Sequence, residues 1–410
     1  MKILDLFLGI MSAIGGNVDM GQLVFTIAGG AKFGYALLWT VLLGTAAIMA
    51  FAEMSGRVAV VLKRPAFELI RERAGDRMGL VVLIASSGVN VLTCTAQVAA
   101  IAAILQFLFG GNYHAMMVLG AGVLLLAVFF LKFEWLDRVF GLLGLALLVY
   151  VGVAFSLQPD WSKVARGFVP LRPSEDMPGL AVYAYYVVGL FSAILMPYEV
   201  HFYSSGAIEE KWKPKDLPAN FANAVVGFAL GGVLTVALIV SGAQAFFGQG
   251  IDPHLIGTVA VPAAMAFGLK GLLVALLGML SAIAGAATET ALASAYSIAQ
   301  FFRLPWGKDK KLKEARIYHA CWIAMMLAGL AIASTGVNAV DIVEYSVIFA
   351  VVVLPFTYYP ILRVAGDRKL MGEHVNSRAV NILGWAFLVL IAISAAAAVP
   401  LMIVTHMGEG

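Results

Sequence analysis

The sequence predicts an all-α polytopic membrane protein, and three observations carry that prediction. Of its 410 residues 61% are hydrophobic and 12% charged, with a mean hydropathy of +0.92; a soluble chain carries about a quarter charged residues. Apolar runs of about 20 residues recur from end to end, each long enough to cross a bilayer as a helix. None alternates with the period of two that a membrane β-barrel strand requires.

Eleven spans follow in order. The first, 4–28, is interrupted at 15–22 by GGNVDMGQ, where three glycines and a carboxylate weaken the helix. Uninterrupted apolar runs give the next four, 33–62, 78–108, 114–131 and 138–157. The sixth, 179–206, is interrupted at ILMPYEV, because Pro197 has no N–H to offer the helix ladder. Spans at 219–248, 258–301, 316–335, 340–364 and 379–405 complete the chain. The loops after the even-numbered spans carry Lys63, Arg64, Arg71 and Arg73, then Lys132, Lys211, Lys213 and Lys215, then Lys308 to Arg316, then Arg363, Arg368 and Lys369. The opposite loops hold only Lys32, Lys163, Arg166 and Arg172. That asymmetry places the N-terminus in the cytoplasm and the C-terminus outside.

No linker divides the chain, so 1–410 reads as one transporter-like domain. The two interrupted spans each open a group of five, and matching interruptions point to discontinuous helices around a midplane site. Five is odd, so the second group (179–364) enters the membrane upside down relative to the first (4–157), with 379–405 as an added helix. The net charge of +3 gives no reason to expect a nucleic-acid partner. Cys94 and Cys321 both fall in spans, so no disulfide framework is implied. The first run lacks a small-residue cleavage site and reads as a mature helix. Short loops without an Asn-x-Ser/Thr sequon fit a prokaryotic inner membrane. The chain is compatible with a monomer whose partners are its substrate and the lipid bilayer.

Asp19 is the first chemical clue, since a carboxylate inside a span costs about 2.5–3.5 kcal/mol unless it faces a cavity, a partner or an ion. The glycines beside it free backbone carbonyls, and oxygen ligands beside a carboxylate outline a hard-cation site. In the sixth span Pro197 frees the carbonyl of Ala193, and Met196 offers a thioether that suits transition metals. Glu199 brings a second acid, either to the ion or to an aqueous vestibule on the cytoplasmic half. Asn90, Thr93, Cys94 and Gln97 share one face of span 3, where they line a path or bond helix to helix. Glu289 in the eighth span is a candidate pathway acid, Asp341 and Glu344 are candidate vestibule acids, and Glu53 is placed to pair with Arg57 at i+4. No His-x-x-x-His pair occurs, and no nucleophile–base pair suggests an enzyme.

The runs NVDMGQLVFTIAGGAKFGYALLW, GFVP, LMPYEV and DRKLMGEHVNSRAVNILGW resemble the NRAMP family of divalent-metal transporters, in order and over essentially the whole chain. The resemblance implies a LeuT-like inverted-repeat bundle that moves divalent cations by alternating access, with no cofactor. Carried over position by position, the metal ligands fall on Asp19, on the amide of Gln22, on the carbonyls of Gly16 and Ala193, and on Met196. Where the family reads Asp-Pro-Gly-Asn and Met-Pro-His, this chain has Met20, Gln22 and Tyr198, with Glu199 following in place of Asn. A second histidine is replaced by Tyr203, and two proton-relay acids of span 3 by Cys94 and Gln97. These departures are similar to the NRAMP-related magnesium transporters. Magnesium dehydrates reluctantly and suits two acids with a retractable amide, so the expectation is Mg2+, with Mn2+, not coupled to protons. Met196 keeps a proton-coupled Mn2+ or Fe2+ importer open, and Ca2+, which is larger and takes more ligands, stands as a further candidate. An amino-acid carrier of the same architecture is disfavoured, because Asp19 would repel a substrate carboxylate, which leaves an organic cation as the weaker alternative.

Overall fold

Hydrocarbon offers no partner to a backbone amide, so the apolar runs must close their hydrogen bonds within helices. The computed structural model describes residues 18–131, 133–170, 173, 177–251, 253 and 255–409. Ten of its helical segments are long and apolar enough to cross a membrane. In chain order the helices are α1 (Met20–Phe33), α2 (Leu38–Leu62), α3 (Ala66–Phe109), α4 (Tyr113–Phe130), and α5 (Phe133–Gly144), which continues through a tight turn into α6 (Val149–Ser156). A short α7 (Trp161–Gly167) precedes α8 (Leu180–Ile194) and α9 (Pro197–Glu209). Then come α10 (Leu217–Ala222), α11 (Phe228–Phe246), α12 (Val261–Phe301), α13 (Arg316–Ala333), α14 (Ala339–Ala365), α15 (Arg368–Met371) and α16 (Arg378–Val404).

Two boundaries differ from the sequence expectation. The first helix runs on to Phe33, because its terminating residue is Gly34, at φ 55° with its N–H on the Gly30 carbonyl; the second therefore begins at Leu38. The third spanning segment, Gly75–Phe109, agrees with the expected 78–108; the helical stretch from Ala66 that precedes it is set off by the non-helical Gly75 at φ 81°. The N-terminal part of the first span, with Gly15, Gly16 and Asn17, lies outside the described residues.

Two sets of helices pack around the middle. In one, α1 lies against α8 and α11, and α2 against α8, α9 and α11; in the other, α3 lies against α4, α12 and α13. Helix α14 joins them, packing on α3, α2 and α8, and α16 covers α14 from outside. The expected Glu53–Arg57 pair forms: Arg57 Nε and Nη2 donate to the carboxylate at 2.8 and 3.0 Å. Arg57 also donates to Asn376 Oδ1 at 2.6 Å and to the His374 carbonyl, which ties the loop before α16 to α2.

Candidate functional site

Both interruptions are visible in the backbone. Asp19 is extended (φ −86°, ψ −179°) and caps α1, its Oδ1 accepting the Gln22 N–H at 3.0 Å. An acceptor at this position satisfies a first-turn amide that has no partner within the helix. Gly21 is required by close approach: a Cβ there would lie 2.7 Å from Val347 of α14 and 3.1 Å from the Asp19 carboxylate. In the sixth span the helix stops at Ile194 and restarts at Pro197, with Met196 extended between (φ −54°, ψ 132°). Pro197 leaves the Ala193 carbonyl without its i+4 donor.

Helix α14 braces this second gap. The Tyr358 hydroxyl donates to the Leu195 carbonyl at 3.0 Å, and Ser192 Oγ donates to the Val347 carbonyl at 2.6 Å. Tyr198 then links the two gaps, its hydroxyl donating to Asp19 Oδ2 at 3.3 Å. Asp19 thus meets an amide and a phenol, and no basic side chain pairs with it among the described residues.

What the site leaves unused is oxygen. Asp19 is 1% exposed, Gln22 3% and Glu199 8%, yet Gln22 Oε1 and Glu199 Oε2 have no hydrogen-bond partner among the described residues. Buried acceptors left unpaired cost about 1–3 kcal/mol each, so two beside a buried carboxylate indicate a site shaped for something else. Met196 and Tyr198 are fully buried at the same junction. Among the described residues no group of three or more His, Cys, Asp or Glu side chains comes together to hold a metal. The donors here are mixed: carboxylate, amide, carbonyl and thioether. Such a set can take a cation that keeps part of its water, with the carboxylates supplying charge.

Glu289 of α12, half-buried, acts electrostatically on both Tyr198 and Glu199. Below it α9 and α12 meet along a polar seam. Ser297 Oγ lies 3.5 Å from His201 Nδ1, and Gln300 Nε2 donates to Ser205 Oγ at 2.8 Å. The seam ends at a charged cavity whose lining includes Gln300, Arg64, Glu68, Arg71 and Arg303. On the other side of the site, Phe25 packs on Tyr185 and Tyr186, with ring centroids 6.0 and 5.8 Å apart. Glu344 is buried there and accepts from the Tyr185 hydroxyl at 3.4 Å, while Asp341 stays exposed in the first turn of α14.

The polar row of span 3 mostly bonds helix to helix. Asn90 Nδ2 donates to Ser294 Oγ at 2.8 Å, Thr93 bonds to Ser346, and Cys94 Sγ sits 3.6 Å from Met326 Sδ. Gln97 differs: it is fully buried and neither end of its amide has a partner among the described residues. Sequence reasoning missed Ser192, Val347 and Tyr358, which carried no signal of their own among many buried aromatic and hydroxyl residues.

Comparisons with known proteins agree on one relationship. The profile of the Nramp family (natural resistance-associated macrophage protein-like) matches residues 9–400. The curated divalent metal cation transporter MntH of Levilactobacillus brevis is 25% identical over 412 residues, covering 94% of this chain and 86% of its own length. MntH 1 of Pseudomonas aeruginosa is 26% identical over 419 residues, covering 96% and 90%. The fold is similar to a solved Eremococcus coleocola manganese transporter, with a TM-score of 0.76 at 20% identity over 95% of this chain and 84% of that one. It is also similar to the nucleobase-cation-symport-1 transporter Mhp1, with a TM-score of 0.60 at 13% identity over 97% and 92%.

Proposed function

The chain belongs to the Nramp family, and from that premise we propose that it imports divalent metal ions, magnesium ahead of manganese, by alternating access and without proton coupling. It is a multi-pass membrane protein with a LeuT-like helical fold. The observation that carries the proposal is the junction of the two helix gaps. There Asp19, paired to no base among the described residues, sits beside oxygens of Gln22 and Glu199 that have no partner among them, with the Ala193 carbonyl and Met196 close in sequence. Gly16 completes the ligand set by its family position. Tyr198 holds the free oxygen of Asp19 until an ion takes its place.

Magnesium leads because oxygen donors and two acids suit an ion that retains water. Manganese follows because Met196 supplies the one soft donor. The absence of coupling rests on Cys94 and Gln97, where acids would otherwise carry protons, and on Cys94 being held against Met326. The two five-span halves are read as inverted repeats meeting at this site, with the N-terminus cytoplasmic in an inner (plasma) membrane. A potential of 100 mV then drives a divalent ion inward by about 4.6 kcal/mol, enough to accumulate an abundant cation.

The test is flux into proteoliposomes with Mg2+, Mn2+ and Ca2+ supplied separately while luminal pH is recorded. Entry of Mg2+ and Mn2+ at constant pH is expected. If neither enters, the metal reading fails; if entry acidifies the lumen, the uncoupled reading fails and the proton-coupled manganese or iron importer replaces it.

A further inference from the structure

At the end of the molecule that carries the basic loops, a second cavity of about 410 Å3 opens where α4 ends and α13 begins. One wall is apolar: Phe129, Phe130 and Leu131 at the end of α4, with Phe130 74% exposed. The opposite rim is the turn Lys308–Leu312 ahead of α13. Greasy side chains face outward on one side of this opening and lysines on the other, at the level where two spans end.

The rim is a built structure. Glu209, at the end of α9, accepts the Lys308 N–H at 2.7 Å, and the turn closes with Lys310 N–H on the Gly307 carbonyl at 3.2 Å. Trp322 Nε1 donates to His319 Nδ1 at 3.1 Å, so the imidazole proton sits on Nε2, 2.8 Å from the Lys310 carbonyl it bonds. Helix α13 starts here without a side-chain cap, which leaves its first amides and positive dipole end open. Lys308 is engaged by Glu210 at 3.7 Å, whereas Lys310 and Lys311 are exposed and form no ion pair among the described residues. Asp309 also lines the cavity and opposes an anion, and among the described lining residues Lys308, Lys310 and Lys311 outnumber that one carboxylate.

We propose that this cavity holds the headgroup of an anionic phospholipid, with Lys310 and Lys311 on its phosphate and its acyl chains along Phe129, Phe130 and Leu131. A free anion would use the lysines but gain nothing from the apolar wall. A zwitterionic lipid would use the wall but bring no net charge to the rim. Basic pockets between spans at a membrane surface bind acidic headgroups for this reason. The site is independent of which ion the protein carries.

The test is native mass spectrometry of the full-length protein loaded with phosphatidylglycerol or phosphatidylcholine. Lys310→Ala with Lys311→Ala is expected to lower phosphatidylglycerol retention by about fivefold or more and to leave phosphatidylcholine unchanged. Lys213→Ala with Lys215→Ala, on another basic loop at the same end, is expected to leave retention within about twofold. Equal loss in both double variants would mean diffuse attraction and overturn the site. So would equal retention of the two lipids by the unaltered protein, or displacement of phosphatidylglycerol by inorganic phosphate.

Discussion

The two helix gaps reach the same place by different physics. At Asp19 the gap is closed chemically: the carboxylate caps its own helix through Oδ1 and takes the Tyr198 hydroxyl on Oδ2. At Leu195–Met196 no side chain caps the new helix. That gap exists because Pro197 has no N–H, and α14 braces it through Tyr358 and Ser192. The first gap stores charge and the second stores backbone geometry. Substitutions that alter charge should therefore act mainly on the first, and those that alter hydrogen bonding mainly on the second.

The sharpest way to break this contrast is at Asp19, where the cap and the proposed ligand are the same group. Asp19→Asn keeps a good helix cap and removes the charge; it should abolish Mn2+ and Mg2+ uptake in proteoliposomes, by about a hundredfold or more, with thermal stability retained. Asp19→Ala should lose uptake and also about 1 kcal/mol of stability. Near-normal uptake by the Asn variant would make Asp19 a cap only. Pro197→Ala comes next. It restores a donor for the Ala193 carbonyl and invites the helix to run through, so uptake should fall by about tenfold while the protein stays folded, read by uptake and melting temperature together. Unchanged uptake would show that the Ala193 carbonyl does not take part.

A smaller effect concerns choice among ions rather than rate. Gln22→Asn with Tyr198→His shortens the amide and exchanges a phenol for an imidazole, which suits transition metals. The ratio of Mn2+ to Mg2+ uptake should rise by about fivefold or more. A constant ratio would mean that selectivity is set away from the two gaps.

The fold was legible because bilayer physics leaves few choices. Apolar runs of spanning length, a proline inside one and glycines around a carboxylate inside another are sufficient to locate the spans and their gaps. The site was half legible. Asp19 and Met196 stand out because each is unusual where it sits, and Tyr198 stood out as a departure from the family motif. That its phenol reaches a carboxylate 179 residues away was not readable, since nothing local to either residue records the other. Asn90, Thr93 and Cys94 left two uses open, because a polar row at helical spacing fits either a path or helix contacts; their bonds to Ser294, Ser346 and Met326 run helix to helix. Tyr358 was invisible for the opposite reason: in a chain with many buried aromatics, one whose hydroxyl bonds a carbonyl at a helix break looks like one that only fills space.

Tyr358 therefore supplies the mildest and most discriminating prediction. Its ring stacks on Phe51 with centroids 4.3 Å apart, so Tyr358→Phe keeps the packing and removes only the bond to the Leu195 carbonyl. If that bond merely satisfies a buried carbonyl, the change should cost about 1 kcal/mol of stability and nothing else. If it positions the second gap, half-saturation for Mn2+ should also rise, by up to about fivefold, since a bond worth about 1 kcal/mol can shift the population of the competent geometry by about that factor. The equivalent change at the first gap, Tyr198→Phe, frees Asp19 Oδ2 without disturbing its helix cap. It should lower half-saturation rather than raise it, because an ion then no longer displaces a hydroxyl. Opposite signs at two tyrosines, one on each gap, are what a charge-holding gap and a geometry-holding gap require; equal signs would show that the two work as one unit.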